Sequence, residues 1–391
     1  MCKNVCSLWR SAVTTLRKEQ VAPADFALSM KPSHLRHGIK LLQSDCFYTE
    51  PLLVLAFANT AGFTGTVYCE AKNTSTCDPP CLRDHYLLDL VKSVVVAPKT
   101  CLLAVKSTYT SYMPLPQSIT NYYAIGLKFG RHPFIGGIYI PAIPNVEFQV
   151  MNIKSLCDIQ KNFFKTIDKL SETRYVKGAL VFVNESFILQ TVDDIKFLNY
   201  FSDVQPNVPY ALGGCIVDDT VASSKDMATM VERINASQDV VSENLVSIGL
   251  FTVPKNFDDI RTENGCNFDM FSLVLDTSDW SKAKIQSAIN EFSKKVPHFE
   301  HSVVIKMSCV GRDSKHGCEQ NFFRAAFPTT RLVGCYGNGE LGINLPERTR
   351  PEARAGTVKR KRPPDFGIMY SYATIFVYIG WGRITKPAET S

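Results

Sequence analysis

The sequence lacks long hydrophobic runs. No stretch approaches the roughly eighteen consecutive apolar residues of a membrane-spanning helix, and the first residues lack the apolar core of a secretory signal. The 13 cysteines do not follow the spacing of a disulfide framework, which indicates reduced thiols in a reducing compartment. We therefore expect a soluble intracellular protein, cytoplasmic and nuclear, that has no membrane partner.

Patterns for metal and phosphate binding are also missing. Cys77, Cys81 and His85 come nearest to a metal cluster, but the C-x₃-C spacing is unusual and no second Cys/His pair follows. The glycine-rich segment 337–342 has neither the Lys-Ser/Thr pair nor the helix start of a phosphate-binding loop. The sequence thus predicts no metal and no cofactor.

The pattern that the sequence does contain is strand–helix–strand, and it occurs three times. The three units lie at 50–57, 84–94 and 100–107, at 175–183, 192–201 and 208–212, and at 302–309, 318–327 and 331–336. With 45% hydrophobic and 20% charged residues, the composition is that of a globular protein. These features predict an α/β fold of mixed β-sheets flanked by helices.

Three finer expectations concern individual elements. Segments 246–253 and 270–276 read as a strand pair, and 368–379 reads as a long strand in the interior of a sheet. In the third unit, apolar residues at helical spacing predict the buried face of a helix; they are Cys318, Phe322, Ala325 and Ala326.

The third unit also predicts a candidate binding crevice. A short strand–helix–strand crossover makes its two strands parallel, so both strands end at the same edge of the sheet. Ligands of α/β folds bind at that edge. The residues that follow the two strands are therefore the crevice candidates, for a ligand or a partner: Cys309, Arg312, Asn338 and Glu340.

Two chemical roles fit these residues. Arg312 could lower the pKa of the Cys309 thiol and make it a nucleophile. Alternatively, Cys309 is a small buried residue and Arg312 pairs with Glu340 across the two loops. No histidine near this segment belongs to a catalytic pattern, so we expect no catalytic residues and no enzyme.

Four motifs in the C-terminal part resemble a known family. They are CVGR at 309–312, FF-x-x-x-FP at 322–328, GNGELG at 337–342 and SYATI at 371–375. In this order they are similar to the C-terminal half of a FIST domain, as found in F-box proteins that carry one. The resemblance implies a two-part FIST body, with an N-terminal half at 36–190 and a C-terminal half at 191–391 that contains a polar loop at 345–366.

The N-terminal segment 1–20 forms a pattern of its own. Apolar residues at helical spacing predict an amphipathic helix: Val5, Leu8, Trp9, Ala12 and Val13. The segment resembles the VC-x-x-W sequence that closes an F-box, which implies an F-box remnant whose N-terminal part is missing. By this resemblance, these five residues are candidates for binding Skp1.

The resemblance implies a non-catalytic function. An F-box protein is the substrate receptor of an SCF-type (Skp1–cullin–F-box) ubiquitin ligase, and it promotes ubiquitination and proteasomal degradation of the proteins it binds. Its partners would be Skp1 and, through Skp1, a cullin–RING ligase; the substrates are unknown. The alternative is a FIST sensory module that binds a small molecule and has no ligase role.

The net charge of +6 is concentrated near the C-terminus. Lys359, Arg360, Lys361 and Arg362 precede two prolines, as in a short nuclear import signal, although a solvated loop has the same composition. Aromatic residues do not alternate with these basic residues, so nucleic-acid binding is not expected.

Overall fold

The structure is a computed structural model, and it describes residues 21–29, 40–44, 50–68, 84–94, 102–107, 133–190, 194–222, 224–236, 238–239, 241–258, 267–276, 279–312, 314–347 and 368–389. The strands of this part of the chain are β1 (Ala24–Ser29), β2 (Lys40–Gln43), β3 (Pro51–Ala58), β4 (Thr66–Tyr68), β5 (Asp84–Tyr86), β6 (Leu102–Lys106), β7 (Phe134–Pro141), β8 (Glu147–Ile153), β9 (Arg174–Asn184), β10 (Ala211–Val217), β11 (Asp219–Val221), β12 (Val246–Pro254), β13 (Asn267–Leu275), β14 (His298–Cys309), β15 (Arg331–Gly337), β16 (Glu340–Gly342), β17 (Met369–Tyr370) and β18 (Thr374–Lys386).

The helices alternate with these strands along the chain. The α-helices of this part of the chain include α1 (Thr60–Thr64), α2 (Leu87–Val94), α3 (Lys165–Thr173), α4 (Glu185–Gln190), α5 (Tyr200–Val204), α6 (Ser224–Asn235), α7 (Lys282–Lys295) and α8 (His316–Ala326). A short helix at Leu156–Asp158 and a π-helix at Ile159–Phe164 lead into α3, and a 3₁₀ helix at Asp194–Asn199 leads into α5.

The strands form three large sheets and one small hairpin. The first sheet has the order β11-β6-β3-β7-β1-β2, the second β17-β16-β10-β9-β12-β8 and the third β13-β18-β14-β15, while β4 pairs with β5. Each large sheet contains one parallel pair among antiparallel neighbours: β3 with β6, β9 with β10 and β14 with β15. These are the three strand–helix–strand units read from the sequence, and the predicted α/β class of mixed sheets flanked by helices is confirmed.

The three sheets share one hydrophobic core, to which each contributes alternate residues of its strands. In β3, Leu53, Leu55 and Phe57 enter this shared core, whereas Val54 and Ala56 face the other way, toward α2 and α6. The alternation follows from the two-residue period of a strand. Helices α3, α4 and α5 cover the outer face of the second sheet, and α7 and α8 cover that of the third.

Two expectations about these elements need correction. Segments 246–253 and 270–276 are strands, but they do not pair: β12 lies between β8 and β9, and β13 pairs with β18 in another sheet. The predicted face of α8 is correct only in part. Phe322 and Ala326 pack, partly buried, against the third sheet, but Ala325 is exposed. The fully buried residues are His316, Glu319 and Phe323, because this helix packs a polar cluster as well as apolar residues against the sheet.

Two other expectations concern the long C-terminal strand and the boundary between the two halves. The long strand predicted near the C-terminus is confirmed, since β18 lies between β13 and β14. The proposed boundary at residue 190 falls between β9 and β10, which are hydrogen-bonded neighbours in one sheet. The division into two halves stays a prediction.

Candidate functional site

The two loops of the third unit leave the same edge of the third sheet. Strands β14 and β15 are parallel, and their last residues, Cys309 and Gly337, are partners in the register. A 3₁₀ turn at Val310–Arg312 follows the first strand. After the second strand, the chain crosses at Asn338 and Gly339 to β16, which pairs with β10 in the second sheet. The edge is therefore a junction between two sheets.

Arg312 does not pair with Glu340, contrary to the sequence-based expectation. Its side chain is buried (1% exposed), and its partner is Glu319 on α8. The Nε and Nη2 groups donate to the same Glu319 oxygen, at 3.1 and 2.5 Å, and Nη1 donates to the carbonyl oxygen of Tyr372 at 2.6 Å. Arg312 thus ties the first loop to α8 and to the start of β18.

Glu319 is the centre of a buried polar cluster. Its second carboxylate oxygen lies 3.3 Å from the Nζ of Lys306, a residue of β14 with no exposed surface. The same oxygen accepts a hydrogen bond of 2.8 Å from the Thr374 hydroxyl. Burial lowers the pKa of Lys306, and the charge of Glu319 opposes this change. Lys306 and Arg312 thus contact different oxygens of one carboxylate.

His316 borders this cluster. Its Nδ1 lies 3.5 Å from Lys306 Nζ and 3.4 Å from the hydroxyl of Ser308, and its ring meets that of Tyr336 edge-on at 4.2 Å. Burial, together with the charges of Lys306 and Arg312, lowers its pKa to about 2. The imidazole is therefore neutral near pH 7, and these surroundings oppose its taking up a proton.

Glu340 is the first residue of β16, directly after the second loop, and is buried. One carboxyl oxygen accepts a hydrogen bond of 2.9 Å from the N–H of Ala373. The other accepts none from the described residues. Burial raises its pKa from 4.5 to about 8, against the lowering effects of the Ala373 hydrogen bond, of Arg312 and of the Cys309 thiol. At neutral pH this side chain is mainly the uncharged acid.

Cys309 is half-buried and lies beside Glu340. Burial raises the pKa of its thiol, and Glu340 raises it further; the N–H groups of Gly311 and Tyr372 and the charge of Arg312 lower it by less. Arg312 does not produce a thiolate here, because its charge is already engaged by Glu319. The nucleophile interpretation of Cys309 therefore lacks support in this geometry.

Asn338 extends toward the neighbouring sheet. Its amide group donates to Glu185, the first residue of α4, at 3.1 Å, and its backbone N–H donates to the carbonyl oxygen of Ile216. The structure thus brings Cys309, Arg312 and Glu340 together at one edge of the sheet, where Arg312 and Glu340 are buried and Cys309 is partly exposed. The side chain of Asn338 bonds outside this group.

At two positions of this edge, Gly311 and Gly339, the structure explains why the residue is glycine. A Cβ on Gly311 would lie 2.7 Å from the ring of Tyr372. Gly339 has a φ of +155° in the crossing between sheets. The segment 337–342 has the G-x-G-x-x-G spacing of a dinucleotide-binding turn, but it joins β15 to β16 and opens no helix. The motif is therefore structural in this protein.

The sequence analysis did not identify the residues of the buried polar cluster around Glu319. Lys306 is a single lysine within the apolar strand segment 302–309, and that interruption was the available signal for a buried charge. The sequence spacing between Lys306 and Glu319 could not identify this pair, because the direction of the turn between β14 and α8 is not predictable from sequence. Thr374 comes from a strand more than fifty residues further along the chain.

Several predicted sites lie outside the described residues. They are the Skp1-binding candidates Val5, Leu8, Trp9, Ala12 and Val13, the import candidates Lys359, Arg360, Lys361 and Arg362, and two residues of the weak metal pattern, Cys77 and Cys81. Within the described ranges, His, Cys, Asp and Glu side chains form no group that could hold a metal ion. No helix in that part of the chain combines the length and the apolar character needed to cross a membrane.

Comparisons with known proteins add little. No protein-family model matches the sequence, and no curated protein matches it. A solved structure of a cyanuric acid hydrolase is similar at 7% sequence identity and a TM-score of 0.32, over 92% of this chain and 99% of that one. A similarity at this level carries no inference about function.

Proposed function

We propose that this protein is a non-catalytic substrate receptor of an SCF-type ubiquitin ligase. In this proposal the segment 1–20 contacts Skp1, and the α/β body binds the proteins that are to be ubiquitinated and degraded by the proteasome. The ligase role rests on the resemblance of the N-terminal helix to the end of an F-box. The non-catalytic role rests on the side chains that surround Cys309.

The observation that carries the non-catalytic role is the engagement of Arg312 by Glu319. A catalytic cysteine needs a nearby cation that lowers the pKa of its thiol, or a base that takes up the proton of the thiol. Here the guanidinium is bound on one side by a carboxylate and on the other by the carbonyl oxygen of Tyr372. His316, the nearest imidazole along the chain, contacts Lys306 and Ser308 instead. These contacts support a structural role for the cluster.

The cluster also supports a rigid binding surface at this edge. Glu319 joins α8 to β14 through Lys306 and to β18 through Thr374. Buried and satisfied charge networks hold side chains in single conformations, because each lost contact leaves a charge without its partner. Cys309 and Tyr372 are thus held on a fixed base, and in preorganised complexes the interface backbone moves little on binding.

The test is recovery of Skp1 with the tagged protein from cells. We expect capture that is lost in Trp9→Ala, since aromatic side chains carry the largest apolar area of a contact. Tyr68→Ala is the matched control, because Tyr68 is an exposed aromatic residue of the body (54% exposed). Equal capture by the protein and by Trp9→Ala would remove the helix from the proposal and favour the sensory-module alternative.

A further inference from the structure

Two cysteine thiols meet in the shared core, where the second sheet lies against the third. Cys215 belongs to β10, and Cys335 belongs to β15, 120 residues further along the chain. Their Sγ atoms are 3.5 Å apart. Both side chains are buried, with 0% and 1% of their surface exposed. The fold thus brings two thiols from different sheets into direct contact.

The backbone around this thiol pair already joins the two sheets. The N–H of Ile216 donates to the carbonyl oxygen of Gly339 at 2.8 Å, and the N–H of Asn338 donates to that of Ile216 at 3.1 Å. A disulfide bond is about 2 Å long, so each sulfur atom has to move by less than about 1 Å to form one. A covalent bond between the two cysteines therefore needs only a small local adjustment.

The surroundings of the pair make its oxidation slow. Burial raises the pKa of the Cys215 thiol, and Cys335 and Glu340 raise it further. The thiolate is the form that reacts with oxidants, so little of the reactive form is present near neutral pH. Large oxidants cannot enter a packed core, whereas a small peroxide can reach it during brief local openings of the fold. The pair is therefore suited to react with a small oxidant that stays in excess.

We propose that Cys215 and Cys335 form a disulfide bond when the protein is exposed to hydrogen peroxide, and that this bond joins the second sheet to the third. One thiol attacks the O–O bond of the peroxide, which gives a sulfenic acid and one water molecule. The second thiol then attacks the sulfenic sulfur, so that the S–S bond forms, the S–O bond breaks and a second water molecule leaves. Two thiols are oxidised and one peroxide is reduced.

The disulfide bond should make the fold more resistant to unfolding. The bond closes a loop between residues 120 positions apart, and a closed loop restricts the unfolded chain more than the folded one. We expect the midpoint of urea unfolding to rise by roughly 1 M. This device rests on the thiol geometry and makes no use of the proposed receptor function.

The experiment treats the full protein with hydrogen peroxide, removes the excess with catalase and blocks the remaining thiols with N-ethylmaleimide in denaturant. Peptides are then mapped by mass spectrometry without reduction. We expect a linked peptide pair that contains Cys215 and Cys335 and has lost two hydrogen atoms. Cys335→Ala and Cys215→Ala should each abolish this pair. Cys157→Ala is the matched control and should leave it intact, because Cys157 is an exposed cysteine of the short helix Leu156–Asp158.

Urea unfolding of the same samples measures the effect on stability. The midpoint should rise after peroxide treatment in the original protein and in Cys157→Ala, and should not rise in Cys335→Ala or Cys215→Ala. Thermal melts before treatment establish which of the two core variants is folded. Absence of the linked pair, links from both cysteines mainly to other thiols, or an equal rise in a folded core variant would each overturn the proposal. Because Skp1 takes no part in these measurements, failure here leaves the ligase proposal standing.

Discussion

Arg312 and Glu319 form a fully buried ion pair in which two N–H groups of one guanidinium reach a single carboxylate oxygen. The pair lies seven residues apart in sequence and links the turn after β14 to the first half of α8. Lys306 contacts the second oxygen of the same carboxylate. Glu319 is thus the counter-ion of two cations, and the stability of this part of the fold depends on its charge.

Replacing Glu319 by glutamine should therefore be strongly destabilising. The amide keeps the shape of the side chain but removes the buried negative charge that Lys306 and Arg312 share, and removing one member of a buried pair costs about 3–5 kcal/mol. Urea unfolding of Glu319→Gln measures this loss. The control is Glu291→Gln, which removes a half-exposed pair with Lys295 on α7 and should cost about 0.5 kcal/mol or less. Similar losses in the two variants would contradict the central role of Glu319.

Glu340 should make stability depend on pH. Its pKa is 4.5 when exposed and about 8 in the fold, so the folded protein binds a proton that the unfolded chain has released between these values. Stability from this group is fully present below about pH 4.5 and is lost as the pH rises toward 8. The upper limit of the slope is about 1.4 kcal/mol per pH unit.

Glu340→Gln tests this dependence, because glutamine resembles the uncharged acid and cannot ionise. The free energy of unfolding of the variant minus that of the original protein should increase from pH 5 to pH 8, because only the original protein loses stability over this range. Glu172→Gln, at an exposed position of α3, should show no such trend. Parallel curves for the original protein and Glu340→Gln would show that Glu340 is not uncharged at neutral pH.

The sequence predicted more of the fold than of the candidate site. Strand and helix patterns identified the three parallel units and the common edge of β14 and β15, because those features depend on local periodicity and on the handedness of short crossovers. The polar face of α8 was missed because His316 and Glu319 look like surface residues in sequence. Their burial depends on Lys306 and Thr374, which are brought together only by the folded sheet.

The basic run near the C-terminus makes a prediction about localisation. If Lys359, Arg360, Lys361 and Arg362 form an import signal, replacing all four with alanine should lower the nuclear-to-cytoplasmic ratio of a fluorescent fusion. Stability should change by no more than about 0.5 kcal/mol if the run is an exposed loop. Alanine at Lys294 and Lys295, two basic residues at the end of α7, is the control. An unchanged ratio in the fourfold variant would leave only the solvated-loop interpretation.

The most direct test of the receptor proposal is a titration of purified Skp1 with the purified chain. The proposal predicts saturable binding of Skp1. Trp9→Ala should weaken this binding by a hundredfold or more, since truncating an aromatic residue buried in a contact costs about 3–5 kcal/mol, while Tyr68→Ala should have no effect. Absence of Skp1 binding, or equal affinity with and without Trp9, would contradict the proposal.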